Sequence, residues 1–264
     1  MGHFLQKTDA GYELRRAGER VVEAVLSGAV TDAPVLELTP VDHACPVCGA
    51  PVEAAFREER VELYCTQCPG NYVSEDMDAP TGDDHDSDHD HGYLGYHPLP
   101  PAGVHGRTAG EVFRAAATWG HLELMAASAG VCPRCSATLD RSVAVCESHD
   151  TGSGLCETCD RRHAVTVELR CTNCIYDEAG PAPVALAGAT PLVAFLTRHG
   201  HSLVDPDPES HAAISAALND YEETVVSTDP LRVRLKVTVD GDELALTVDE
   251  DLSIVDPVRE QPPE

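Results

Sequence analysis

The spacing of the cysteines constrains this chain more than any other feature of its sequence. Eleven cysteines occur in 264 residues, and all but one of them form Cys-x-x-Cys pairs. The exception is Cys146, and a histidine, His149, follows it at the same offset. Eleven thiols and one imidazole divide into three sets of four candidate ligands. The pairs are Cys45 with Cys48, Cys65 with Cys68, Cys132 with Cys135, Cys156 with Cys159, and Cys171 with Cys174.

This spacing is typical of structural zinc sites. Tetrahedral zinc takes four nitrogen or sulfur ligands, and a Cys-x-x-Cys turn presents two sulfurs to one side of the ion. Alternating apolar and polar residues between the pairs predict short β-hairpins that return the second pair. Val165, Val167 and Leu169 are one such set. Each unit resembles a zinc ribbon, and we expect three structural Zn²⁺ ions.

The sequence leaves open how the eight ligands between residues 132 and 174 are grouped. Sequential ribbons, a nested arrangement and an interleaved cross-brace all use the same residues. The sequential grouping is the simplest, because each pair then finds its partner pair within one short hairpin. We predict His149 as the twelfth ligand; the alternative is that His149 is a surface histidine and His163 binds the ion.

Other chemistries are disfavoured for these thiols. A redox Cys-x-x-Cys motif usually occurs once, beside a βαβ pattern, and this sequence lacks that pattern. A catalytic zinc keeps one position free for water, whereas each set here fills with four ligands. No glutamate lies beside a ligand in the helical pattern of metalloproteases. We therefore do not expect an enzyme.

The charge of the chain is strongly acidic. There are 45 acidic and 18 basic residues, which gives a formal net charge of −27. The carboxylates are spread through apolar patterns rather than concentrated in one tail, and such a surface is like that of proteins from salt-accumulating halophiles. In molar salt the Debye length is about 3 Å, so this charge does not exclude DNA as a partner. With no signal-peptide pattern and no apolar run near the roughly 20 residues of a membrane span, we expect a cytoplasmic protein with reduced thiols and no membrane partner.

The first residues predict a β-hairpin followed by a helix. Residues 2–7 and 12–16 alternate as two strands around a glycine turn, and residues 19–26 have an apolar stripe that ends before Gly28. A basic hairpin followed by a helix resembles the wing and trailing helix of a winged helix-turn-helix domain. At such a wing, Lys7, Arg15 and Arg16 would contact DNA phosphates. The alternative is a solvated face, because neighbouring carboxylates balance these charges.

The combination of segments is similar to a family of halophilic archaeal regulators, usually described as ArsR-type or winged-helix transcriptional regulators. Three stretches carry the resemblance: HFLQKTDAGYELRRAGERVVEAVLSGAVTD, CPVCGAPVEAAFREERVELYCTQCPG and PLPPAGVHGRTAGEVFRAAATWGHLELMAASAGVCPRC. The resemblance runs over nearly the whole chain, through DYEETVVSTDPLRVRLKVTVDGDELALTVDEDLSIVD at the end. Family members carry a complete winged helix, whereas here the helices before the wing, including the recognition helix, are missing. We expect Met1 to be an internal methionine of a longer reading frame, and DNA binding to belong to that full-length form.

The remaining segments complete an α+β prediction. It consists of a winged-helix remnant (the β-hairpin plus helix), zinc-ribbon β-hairpins and a small C-terminal α+β module. The predicted divisions are 1–38 (wing and trailing helix), 39–73 (first zinc ribbon), 74–106 (flexible Asp/His-rich linker), 107–131 (helix), 132–176 (two further zinc-binding units) and 190–256 (C-terminal module).

These observations predict a transcriptional regulator in which zinc ribbons serve interaction or dimerisation. Its partners would be DNA, through a complete winged helix, and a second copy of the chain or another protein. The alternative is a zinc-ribbon module for protein–protein contacts that does not bind DNA.

Overall fold

The computed structural model describes residues 3–72, 92–152, 154–204, 206, 208–256 and 259–261. Within these residues the chain is a mixed α+β protein whose paired strands are antiparallel. The strands are β1 (Leu5–Thr8), β2 (Gly11–Leu14), β3 (Leu36–Ala44), β4 (Pro51–Arg57), β5 (Arg60–Cys65), β6 (Gly92–Pro98), β7 (Leu139–Val145), β8 (Val165–Cys171), β9 (Asp177–Pro181), β10 (Glu222–Thr228), β11 (Leu231–Val239), β12 (Asp242–Val248) and β13 (Arg259–Gln261). The helices are α1 (Arg16–Leu26), α2 (Ala109–Ser128), α3 (Ala182–Ala185), α4 (Thr190–Arg198) and α5 (Pro208–Asn219).

The N-terminal hairpin and helix form as predicted. Strands β1 and β2 pair around a turn that ends at Gly11, whose φ of 132° suits glycine. Helix α1 begins three residues earlier than predicted. It packs closely on the hairpin at Gly18, where a Cβ atom would collide with the carbonyl of Phe4. The agreement between prediction and structure is limited to the hairpin and the helix.

A four-stranded sheet in the order β3-β4-β5-β6 surrounds the first cysteine set. The central hairpin β4–β5 was predicted, whereas the outer strands β3 and β6 were not. Strand β6 corrects the predicted linker, because residues 92–98 lie within the predicted flexible segment 74–106 and pair with β5. Residues 73–91, which contain the predicted Asp/His-rich run, lie outside the described residues. Strand β3 begins at Leu36, so the predicted boundary at residue 38 falls inside this sheet.

Helix α2 covers one face of that sheet. Its N-terminus has a capping box, in which the Glu111 carboxylate accepts hydrogen bonds from the backbone N–H and the hydroxyl of Thr108 at 2.9 and 2.8 Å. The apolar stripe of the helix buries Val112, Phe113 and Ala116 against the sheet. Trp119 follows the same stripe but is 45% exposed.

The tip of the β4–β5 hairpin contains backbone conformations that disfavour its side chains. Glu58 and Glu59 have φ values of 50° and 61°, the pattern of a type I′ turn, which favours Asn-Gly. We expect Glu59→Gly to raise the free energy of unfolding by about 1 kcal/mol, since left-handed backbone costs an L-residue about that much. The measurement is the denaturant midpoint at fixed zinc.

The control for this prediction is Arg134→Ala, because Glu59 also pairs with Arg134 at 3.8 Å. That pair is about half exposed, and its removal alone should change stability little. A Glu59→Gly chain less stable than the Arg134→Ala chain would contradict the turn argument.

The last third of the chain differs from its prediction in three places. The apolar pattern predicts a helix from about residue 208 to residue 223, whereas α5 ends at Asn219 and residues 222–228 form strand β10. The apolar residues Leu252, Ile254 and Val255 predict a third strand, but Ile254 makes only an isolated bridge with Val248. The outer strand of the sheet β10-β11-β12-β13 is instead β13, which extends the predicted module beyond residue 256.

The buried residues form two hydrophobic cores rather than one core per predicted division. One core lies between the β3–β6 sheet and α2. The other joins the three-stranded β7-β8-β9 sheet to helices α3–α5 and to the C-terminal sheet. The predicted units 132–176 and 190–256 therefore share one core. Among the described helices, none is long and apolar enough to cross a membrane.

Candidate metal centres

The first centre (Cys45, Cys48, Cys65 and Cys68) closes one end of the β3–β6 sheet. Cys45 and Cys48 lie on the turn between β3 and β4, and Cys65 is the last residue of β5. The Sγ atoms of Cys45 and Cys68 are 3.7 Å apart, and those of Cys48 and Cys65 are 3.5 Å apart. Four sulfurs at about 2.3 Å from one tetrahedral ion lie roughly 3.8 Å from each other. The geometry therefore fits one ion.

The outer centre (Cys132, Cys135, Cys171 and Cys174) brings together the two ends of a long segment. The Sγ atoms of Cys132 and Cys174 are 3.7 Å apart, and those of Cys135 and Cys171 are 3.4 Å apart. These contacts join residues 42 and 36 positions apart in sequence. The preferred sequential grouping is thus wrong, and the nested alternative is the arrangement that the structure shows.

The inner centre (Cys146, His149, Cys156 and Cys159) lies at the opposite end of the β7–β8 pair. Nδ1 of His149 is 3.5 Å from the Sγ atom of Cys159, and its Nε2 is 3.0 Å from the carbonyl oxygen of Arg162. A hydrogen bond from Nε2–H to that carbonyl leaves the Nδ1 lone pair facing the sulfurs, which is how a ligating imidazole is usually oriented.

His163, the alternative ligand, lies elsewhere. Its ring stacks on Tyr221 with centroids 3.9 Å apart, and its Nε2 is 2.9 Å from the carbonyl oxygen of Asn219. The prediction of His149 over His163 agrees with this placement.

The register of one strand pair explains the nested grouping. Strands β7 and β8 are antiparallel, with Leu139 opposite Cys171 and Val145 opposite Val165. The cysteines before β7 therefore meet those after β8, and the ligands after β7 meet those before β8. The β7–β8 pair thus separates two centres, each closing one of its ends.

Three of the Cys-x-x-Cys turns, one from each centre, repeat one backbone design. In each, the residue after the second cysteine donates its N–H to the carbonyl of the first cysteine, at 2.8–2.9 Å, and has a positive φ. Such a turn holds both sulfurs on the same side. The residues in this left-handed position are Gly49, Ser136 and Asp160.

Hydrogen bonds to sulfur prepare some of these thiols to bind a cation. A backbone hydrogen bond from Ala137, with a second from the side chain of Asn173, lowers the pKa of the Cys135 thiol to about 6. A backbone hydrogen bond at Asp150 likewise lowers the pKa of Cys156 to about 6. Burial has the opposite effect on Cys45 and raises its pKa. Each set could hold a metal ion as a closed four-ligand site, which leaves no free position for a substrate.

Arg162 connects the inner centre to the first one. Its guanidinium donates to the carbonyl of Gly70 at 3.0 Å from Nη2, two residues after Cys68. Its own carbonyl accepts the hydrogen bond from His149. An ion bound at either centre therefore stabilises the contact between the two hydrophobic cores.

The three candidate DNA-binding residues lie on the N-terminal hairpin and at the start of α1. Lys7, Arg15 and Arg16 are all exposed. Arg16 forms ion pairs with Glu19 at 3.3 Å and with Glu23 at 3.8 Å. All three cations therefore lie on the surface of the N-terminal hairpin and helix.

Sequence reasoning missed a group of buried and half-buried histidines that line a cavity of about 310 Å³. The group consists of His43, His97, His121 and His211. Burial lowers the pKa of His211 to about 2 and that of His97 to about 3, so both rings are neutral. These residues come from four separate elements without any short spacing, so no local pattern could have indicated the group.

Fold and centres together define a class of protein: an α+β chain held by three closed cysteine-rich tetrads. The chain belongs to the family described as a domain of unknown function, DUF7351, whose model matches residues 42–254. The matched segment contains all twelve candidate ligands and the four clustered histidines, whereas the N-terminal hairpin and α1 precede it. No curated protein and no solved structure matched the chain.

Proposed function

We propose that this chain is part of a transcriptional regulator of the ArsR-like, winged-helix type, in which three structural zinc ions hold a platform for protein contacts or dimerisation. The ions would be zinc because sets of three or four thiolates, completed by at most one imidazole, are the usual ligands of structural zinc. In this proposal the hairpin β1–β2 is the wing of a DNA-binding domain.

The observation that carries the proposal is the unburied apolar face of α1. Val21, Val22, Val25 and Leu26 are 53%, 40%, 47% and 82% exposed, although they lie on one side of the helix. An amphipathic helix normally buries such a stripe. In a winged-helix domain, the helix that follows the wing packs on the helices that precede it, and those helices would cover this stripe.

The acidic charge of the chain is compatible with DNA binding under one condition. A formal charge of −27 repels phosphates at low salt. In molar potassium chloride that repulsion is screened within about 3 Å, so local cations decide the contact. Lys7 on the wing, with Arg15 and Arg16 directly after it, supplies three of them.

The test is duplex binding by the chain extended with whatever reading frame lies upstream of Met1, measured by fluorescence anisotropy in molar potassium chloride. We expect Arg15→Glu combined with Arg16→Glu to weaken binding about tenfold or more across all sequences, since wing contacts position the backbone rather than read bases. Arg234→Glu, an exposed arginine on β11, is the matched control and should leave binding unchanged.

Equal affinities for the wing and control variants would refute the role of the wing. Absence of duplex binding by the extended chain would favour the second candidate, a zinc-ribbon module for protein contacts. One observation supports that candidate: Ile175, directly after the last ligand of the outer centre, is 99% exposed. An isoleucine held at that exposure by a rigid turn is suited to insertion into a partner.

A further inference from the structure

Four histidines from distant parts of the chain converge where helices α2 and α5 meet the β3–β6 sheet. His43 lies on β3, His97 on β6, His121 on α2 and His211 on α5. The ring centroid of His211 is 4.8 Å from that of His43, 5.8 Å from that of His97 and 5.6 Å from that of His121. The centroids of His97 and His121 are 6.0 Å apart.

Three ring nitrogens of this cluster are buried without a hydrogen-bond partner among the described residues. His211 is 6% exposed, and neither of its ring nitrogens has a hydrogen-bond partner among the described residues. Nε2 of His43 is likewise buried and without a partner. Burying a polar nitrogen without a partner is unfavourable, so a bound species that accepts these lone pairs would stabilise the fold.

His121 shows how the cluster could be oriented for such a species. Its Nδ1 is 3.2 Å from the carbonyl oxygen of Leu203. A hydrogen bond from Nδ1–H to that carbonyl fixes the tautomer and leaves the Nε2 lone pair free, as in metal-binding histidines whose second nitrogen is held by the protein.

We propose that His43, His97, His121 and His211 bind one transition-metal ion, at a fourth site separate from the three cysteine-rich centres. Four imidazoles at about 2.0–2.1 Å from a tetrahedral ion have ring centroids roughly 5 Å apart. The three centroid distances from His211, which run from 4.8 to 5.8 Å, lie close to that value or slightly above it. An all-imidazole site suits zinc, copper, nickel or cobalt. It does not share the preference of thiolate centres for soft metal ions.

Rotation of the rings is the adjustment that binding requires. Among the described residues, the groups whose ligand atoms already lie within 4.8 Å of each other are the three tetrads. The histidine nitrogens therefore converge after the rings turn about their Cβ–Cγ bonds, where torsional wells are broad. The adjoining cavity, which all four histidines line, provides the space for that rotation.

A purely structural role for the cluster makes a different prediction. His211 also packs edge-on against Phe113, with centroids 4.8 Å apart, so the rings could serve as core aromatics. In that case metal would not affect the cluster, and His211→Phe would keep or raise stability. In a metal site, added metal stabilises the native chain and that stabilisation is lost with the ligand.

The experiment uses the whole chain loaded with three equivalents of zinc and then titrated with Co²⁺. We expect a further equivalent to bind with visible d–d bands but without the near-ultraviolet charge-transfer bands of cobalt thiolates, and with a rise in the melting temperature. His211→Gln and His121→Gln should each weaken this binding at least about tenfold. Loss of a residue that only orients a ligand already lowers metal affinity about 10- to 100-fold, and loss of a ligand should cost no less. His105→Gln, at an exposed histidine of the same chain, should bind Co²⁺ like the native chain.

Two results would overturn the proposal: no metal bound beyond three equivalents, or unchanged Co²⁺ affinity in His211→Gln. If His211→Gln fails to retain its three zinc ions, His97→Gln at the less buried cavity wall replaces it, with the same expected loss. The outcome is independent of DNA binding, so failure here leaves the proposed function standing, and the reverse also holds.

Discussion

The purified chain is expected to contain three equivalents of zinc and to lose its cooperative fold when a strong chelator removes them. Zinc binding to small cysteine-rich sites has an apparent free energy of about 10–16 kcal/mol, whereas a whole domain is stable by about 5–15 kcal/mol. Loss of the first centre alone releases the start of β4 and the end of β5. These two strands are largely buried and form the centre of the sheet. Loss of the outer or the inner centre likewise releases one end of the β7–β8 pair.

Metal analysis by mass spectrometry, circular dichroism and backbone amide exchange would measure this result, and re-added zinc should restore the signals. The C-terminal sheet is an internal control. Strands β10–β12 contain no ligand and are packed by α5, so their amides should keep more protection after chelation than those of β4, β5, β7 and β8. A chain that stays folded without metal would contradict the role assigned to the tetrads.

The second large effect concerns how pairs of cysteine substitutions combine. In the nested arrangement Cys132 and Cys171 share one ion, so the double variant Cys132→Ser/Cys171→Ser should lose one zinc. Cys132 and Cys146 belong to different centres, so Cys132→Ser/Cys146→Ser should lose two. Sequential ribbons predict the reverse, and an interleaved cross-brace predicts the loss of two in both variants. Zinc content after dialysis distinguishes the three arrangements.

Spectroscopy on single variants gives the same answer when a double variant does not fold. The outer centre has four sulfurs and the inner centre three sulfurs and one nitrogen, so ¹¹³Cd substituted for zinc gives a separate resonance for each class. Cys132→Ser should remove a four-sulfur signal, and Cys156→Ser the three-sulfur signal. The opposite assignment would show that the ligands are grouped sequentially.

Much of the local structure was predictable because it depends on short-range rules. Thr108 and Glu111 specify the start of α2 through a capping box three residues long. The β4–β5 hairpin follows from alternation around a two-residue turn at Glu58 and Glu59. Strand β3 was missed because Pro40 interrupts its pattern, and its pairing with β4 shifts register in two places.

The grouping of the last eight ligands was not predicted because it depends on which strands pair. Treating each pair of Cys-x-x-Cys motifs as its own hairpin makes the sequential arrangement the simplest. Strands β7 and β8 instead pair with each other over seven residues, and this register alone places Cys132 beside Cys174. The relevant signal was present: Val143 and Val145 alternate in the same way as Val165 and Val167.

The sequence by itself determined which twelve side chains are candidate ligands, because a Cys-x-x-Cys turn is a local structure that needs no partner to be recognised. The tertiary structure decided which ligands share an ion, and it brought together His43, His97, His121 and His211. Both outcomes depend on contacts between segments tens of residues apart. Such contacts follow from strand register and helix packing, which no short stretch of sequence specifies.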